Sequence, residues 1–123
     1  MILTHSVKVC LAVEPCDLRK SFNSLSAVVR NQLAADPLSR TVYVFLNRAR
    51  NRIKLLYWDG SGLWVMAKRL EKGRFSRPDA LAASGGKIRL RPEALEMLLS
   101  GIELRDGMRR AWYEVSGDAG TPP

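Results

Sequence analysis

An α+β fold class follows from two observations in the 123-residue chain. Three runs rich in β-branched and aromatic residues, Thr41 to Asn47, Ile53 to Trp58 and Leu63 to Lys68, succeed one another across short polar or glycine-bearing turns. Two other segments, one after Asp17 and one after Arg91, repeat their apolar residues at helical spacing instead. The expected order is therefore β-α-β-β-β-β-α: an antiparallel sheet of four to five strands, with a central three-strand meander, packed by two helices.

Each element has its own justification. Val7 to Val13 alternates as a first strand and is stopped by Glu14-Pro15. Asp17 is placed to cap a helix in which Leu18, Phe22, Leu25, Val28 or Val29, and Leu33 form the apolar side. Arg19, Lys20, Asn23 and Arg30 take the other side, and the spacing predicts a helix of about 17 to 19 residues, ended by Asp36-Pro37. The basic loop Arg48-Ala49-Arg50-Asn51-Arg52 joins the second and third strands, and Asp59-Gly60-Ser61-Gly62 supplies glycine where a tight turn needs positive φ. After a loop centred on Lys72-Gly73-Arg74, Gly85-Gly86 precedes a short fifth strand, Lys87 to Leu90. Pro92 suits the first turn of the second helix, and Glu93 and Glu96 complement its positive N-terminus. Leu95, Leu98, Leu99 and Ile102 make its apolar stripe, closed by Gly101. One domain over residues 1–115 is expected, with 116–123 a disordered tail.

Composition narrows the function classes. No apolar run approaches the roughly 20 residues that cross a bilayer, so a membrane partner is not expected. Met1 to His5 lacks the basic start and apolar stretch of a secretory signal, which points to the cytoplasm. Cys10 and Cys16 match neither a redox pair nor a zinc half-site, and His5 is the one histidine, so no metal and no cofactor are expected. The net charge is +8, yet Arg40 to Arg91 holds thirteen Lys or Arg against three acids, an excess of ten. That local excess is larger than the net charge of about 2 to 8 that solubility asks of a small domain, and it favours a polyanionic partner.

Catalytic chemistry has little to draw on. Nucleophilic triads fail because the one histidine, His5, sits in the N-terminal segment, and a metal-dependent nuclease would have only Asp17, Asp59 and Glu93, each with a simpler role as helix cap, turn residue or first-turn acid. The informative constellation is basic and aromatic. Arg48, Arg50, Arg52 and Lys54 lead into Tyr57-Trp58, and Trp64 leads to Lys68, Arg69, Lys72, Arg74 and Phe75. One face of an antiparallel sheet packs the helices and the other is free to stay exposed, where such residues grip phosphates or stack on bases. Tryptophans in strands more often serve packing, so the eight Arg and Lys residues from Arg48 to Arg74 are the expected DNA-contacting set.

Three stretches carry a resemblance: IKLLYWDGSGLW (Ile53 to Trp64), KRLEKGRF (Lys68 to Phe75) and CDLRKSFNSL (Cys16 to Leu25). With LLSGIEL (Leu98 to Leu104), the chain from residue 7 to 104 resembles the TnpB-type accessory proteins of the insertion-sequence-66 family of bacterial transposable elements. Ser21, Ser24 and Leu104 depart from that pattern, and Arg91 replaces the usual Ser or Thr, so the second helix is expected to lack a side-chain N-cap. The resemblance implies a non-catalytic protein encoded beside a separate transposase that does the cutting. Its partner is then DNA, through the phosphate backbone at element ends; the alternative is docking on the transposase without direct DNA binding.

Overall fold

The strand Thr41–Leu46 is apolar on both faces and buried along its whole length, as befits the middle of a sheet covered on both sides. In the computed structural model, which describes residues 7–77, 79, 81 and 83–101, the elements run in the expected order. They are β1 Lys8–Ala12, α1 Phe22–Asn31, β2 Thr41–Leu46, β3 Arg52–Trp58, β4 Leu63–Arg69, β5 Lys87–Leu90 and α2 Pro92–Leu99. The five strands form one sheet in the order β4-β3-β2-β1-β5. Ile102 and the expected 116–123 tail lie outside the described residues. No helix among the described residues is long and apolar enough to cross a membrane.

The meander β2-β3-β4 is antiparallel as expected, and β5 pairs antiparallel with β1. The sheet as a whole is mixed, however, because β1 and β2 pair in parallel, Lys8 opposite Thr41 and Leu11 opposite Val44. The reason lies in the connection. Residues 13–40 carry α1 and are long enough to return the chain to the same end of the sheet, which a parallel pair requires. The expectation of one exposed sheet face fails for a related reason. The helix α1 packs on one face, where Leu25, Val28, Val29 and Leu33 meet Cys10, Tyr43, Phe45 and Leu56. The helix α2 packs on the other, where Ala94, Leu95 and Leu98 join Val9, Leu11, Val44 and Leu55.

The helix α1 spans ten residues, shorter than its apolar spacing suggests. Asp17 does not cap it: its carboxylate accepts from the Arg19 backbone and side chain, which holds residues 17–19 in a turn before the helix. The N-cap position is Ser21, without a side-chain cap bond. At the other end Leu33 N–H bonds Val28 O, and Ala34 takes φ 50°, so the chain leaves the helix while Leu33 still reaches the core. The helix α2 starts at Pro92 with Arg91 as an uncapped N-cap, as expected, and Gly101 at φ 81° turns the chain away.

Two local structures orient the meander. At the β3–β4 turn the Asp59 carboxylate accepts from Ser61 N–H at 2.8 Å, Ser61 Oγ at 3.0 Å, Gly62 N–H at 2.9 Å and Trp64 Nε1 at 2.8 Å. Gly60 has φ 104°, and a Cβ there would meet the Arg40 guanidinium at 2.6 Å. After β4, Phe75 is fully buried in the α2-side core and pins the following loop beneath the sheet.

Phe75→Ala should cost about 3 to 5 kcal/mol of stability in urea denaturation; a loss below about 1 kcal/mol would contradict its role as the loop's anchor. The Trp64 indole and the turn's backbone donors hold the Asp59 carboxyl well below the usual carboxylate range. A lowered folded-state pKa means that this stabilisation is complete above the unfolded value of about 4 and is lost as pH falls through the folded one. Asp59→Asn should therefore flatten the acid limb of a stability-versus-pH series, and an unchanged limb would contradict the assignment.

Candidate nucleic-acid interface

The end of the sheet where β2 passes into β3 is built around Asn47. Its Oδ1 accepts the backbone N–H groups of Asn51 at 3.1 Å and Arg52 at 3.0 Å, and its Nδ2 donates to Asn51 Oδ1 at 2.8 Å. Arg50 N–H closes the turn on Asn47 O at 3.0 Å, and Arg50 itself adopts φ 58°, a left-handed conformation that non-glycine residues seldom take.

Two further segments are tied to this turn. Phe75 N–H donates to Arg50 O at 2.6 Å, and Arg50 returns a bond from its guanidinium to Phe75 O at 3.0 Å. Leu70 N–H donates to Asn51 O at 2.8 Å, so the loop after β4 lies along the turn. On the other side Cys16 N–H bonds Leu46 O at 2.8 Å and brings residues 15–19 alongside.

Three adjoining depressions result. The first, of about 630 Å³, lies between residues 15–19 and 47–52, with Arg19, Arg48 and Arg52 on its walls. The second, of about 220 Å³, is lined by Arg52, Lys54, Lys68 and Arg69, and the third, of about 380 Å³, by Arg48, Arg50 and Arg77. Arg48 belongs to the first and third and Arg52 to the first and second, so the three share a single basic rim. Asp17 is the one carboxylate among their described lining residues. The Arg19 guanidinium and backbone N–H hold the Asp17 carboxyl far below its ordinary range, and Asp17 in turn raises the Arg19 pKa. The Arg19 side chain is 91% exposed, so this pair adds charge geometry more than stability.

The eight nominated residues divide by task. Arg48, Arg52, Lys72 and Arg74 are exposed, and their side chains make no hydrogen bond or ion pair to a described residue. Arg48 and Arg52 line the depressions, whereas Lys72 and Arg74 line none of the three. Arg50 holds the turn, as above. Lys54 Nζ donates to Lys20 O at 2.6 Å, Lys68 Nζ to Leu99 O at 2.7 Å, and Arg69 pairs with Glu71 at 3.2 Å. Each of these cations keeps unused donors after its structural bond.

Arg19 and Arg77, outside the eight residues expected from sequence, also line the depressions. Arg19 reads equally well as a solvated helix residue, and the signal for Arg77 is its place two residues after Phe75, whose burial draws the loop to the sheet end. The aromatic component lies elsewhere: Trp64 is bonded to Asp59 at the opposite end of the β3–β4 hairpin. Asp59 is committed to that turn. Burial raises the Cys16 thiol pKa, the opposite of the shift that activates a reactive cysteine. Among the described residues, no three His, Cys, Asp or Glu side chains gather to hold a metal ion.

Comparison with known proteins places this geometry in context. A family model described as IS66 Orf2-like protein matches residues 7–109. The uncharacterized protein y4jC of Sinorhizobium fredii (strain NBRC 101917 / NGR234) is 32% identical over 100 residues, covering 81% of this chain and 83% of the relative. The uncharacterized protein y4hO of the same organism is 38% identical over 101 residues, covering 82% and 85%. No solved structure matches significantly.

Asn47→Ala strips an acceptor from two backbone N–H groups at once. It should cost about 1 to 3 kcal/mol in urea denaturation, with Asn47→Asp milder because it keeps the acceptor. Equal losses from both variants would contradict the role given to Oδ1.

Proposed function

With a family match over residues 7–109, the chain belongs to the IS66 Orf2-like family, and on that premise we propose that it is a non-catalytic accessory factor of insertion-sequence transposition that binds DNA. The observation that carries the reading is the shared rim of Arg48 and Arg52, which joins three basic depressions at one end of the sheet. Among the described residues, eight Arg or Lys side chains and one carboxylate line those depressions.

The mechanism is phosphate contact. Each guanidinium or ammonium that replaces a counterion on the duplex releases it, so binding draws on ion release and tolerates any base sequence. Arginine forks grip a phosphate through two parallel bonds, and the Asn47 network sets the backbone from which Arg48 and Arg52 project. Lys54, Lys68 and Arg69 add field without leaving their structural partners. Lys72 and Arg74 extend the same field from the adjoining loop. Strand cutting falls to a separate transposase, and the protein acts in the cytoplasm, where the element's DNA lies.

Fluorescence-anisotropy titration against duplex and single-stranded DNA tests this. Affinity should fall steeply with salt, and reversing Arg48 and Arg52 to Glu together should weaken binding to every sequence alike and lower the log–log salt slope by about 2. The double reversal Lys8→Glu with Arg91→Glu makes the same charge change at the other end of the sheet and should alter the slope much less. Salt-independent binding, or equal effects from the two double variants, would overturn the reading.

A further inference from the structure

The two edges of the sheet are treated differently. β5 is four residues long and carries Lys87 and Arg89, and the Lys87 ammonium is tethered to Leu33 O. Short strands bearing charge are how edges are blunted against pairing. β4, at the opposite edge, is seven residues long and carries no charge from Leu63 through Ala67. Trp64 is 46% and Met66 43% exposed on its α2-side face, beyond the reach of the core.

We propose that β4 pairs with β4 of a second copy of this chain, antiparallel about a two-fold axis at Met66, to make one continuous ten-stranded sheet from two five-stranded ones. The hydrogen-bond phase permits it. Asp59 N–H bonds Gly62 O at the turn and Leu70 N–H bonds Asn51 O beyond the strand. In the antiparallel alternation these fix, Trp64, Met66 and Lys68 turn their backbone groups toward β3, and Leu63, Val65, Ala67 and Arg69 turn theirs to the edge that no described strand covers. With the axis at Met66, Val65 exchanges both bonds with Ala67 of the second copy, and Leu63 with Arg69. A register shifted by two residues either way leaves part of the strand unpaired, so this is the one that pairs all seven residues.

Charge and shape agree with that register. Met66 meets Met66 at the axis, and each Trp64 lies opposite Lys68 of the other copy, where the lysine stem covers the ring while its amine stays on Leu99 O. No like charges face one another, because Lys68 and Arg69 oppose Trp64 and Leu63. The Trp64 ring is already held by its bond to Asp59, which reduces the ordering cost of association. The two basic ends would lie about 20 Å apart along the strand direction, at a rise of about 3.4 Å per residue.

Sedimentation of the full chain in the absence of DNA, over a concentration series, decides this independently of the DNA reading. The expected result is a species of twice the 13.8 kDa chain mass. Ala67→Pro removes an N–H that faces the open edge and is not used by β3, and Met66→Lys sets two ammonium groups together at the axis. Both should sediment as monomers, with circular dichroism melts showing that they fold. Under mild oxidation Met66→Cys should give a disulfide-linked dimer well beyond the wild-type level. A monomeric wild type, variants that remain dimeric, or no excess cross-link in Met66→Cys would each overturn the proposal.

Discussion

The reciprocal hydrogen bonds between Arg50 and Phe75 join parts of the fold that have no local reason to be together. Phe75 is drawn under the sheet by its own hydrophobicity, and full burial of such a ring stabilises by several kcal/mol. Its backbone N–H and C=O then need partners away from water, and Arg50 supplies both. That demand keeps Arg50 in a left-handed conformation and fixes the path of the β2–β3 turn. The α2-side core and the basic end of the sheet are therefore one mechanical unit. A cavity at Phe75 would disturb the arginines without touching them.

Much of the meander was legible because its physics is local. Period-two alternation puts Ile53, Leu55 and Tyr57 on one face and Lys54, Leu56 and Trp58 on the other; the structure packs the first three against the α2-side core and Leu56 against α1, while Trp58 belongs to neither cluster. The turn signal at Asp59 to Gly62 and the limits of β5 were equally local. Strand direction was not. The apolar residues of β1 and β2 fit a parallel or an antiparallel partner, and only the crossover carrying α1 decides between them. Apolar spacing overstates the length of α1 because Leu18 and Leu33 keep helical spacing although neither is helical. Asp17 prefers Arg19 on one side, and Ala34 turns the chain on the other.

The arginines show a subtler limit. Arg48, Arg50 and Arg52 look alike in sequence, and any account from charge alone gives them one role. The fold separates them: Arg50 is consumed in holding the turn, whereas Arg48 and Arg52 extend from it into shared depressions. Position in a tight turn, which depends on contacts with a loop 25 residues later, makes that distinction. The same long-range contact brings in Arg77, which charge counting leaves in an undistinguished run.

A hydrogen–deuterium exchange footprint of the protein with and without duplex DNA tests the account's central claim most directly, since it reports where contact occurs without altering any residue. Protection gathered in residues 15–19, 47–52 and 67–77, and fading as salt is raised, is the result the account predicts. Protection concentrated at the Asp59 to Gly62 turn, or no protection at low salt, would contradict it.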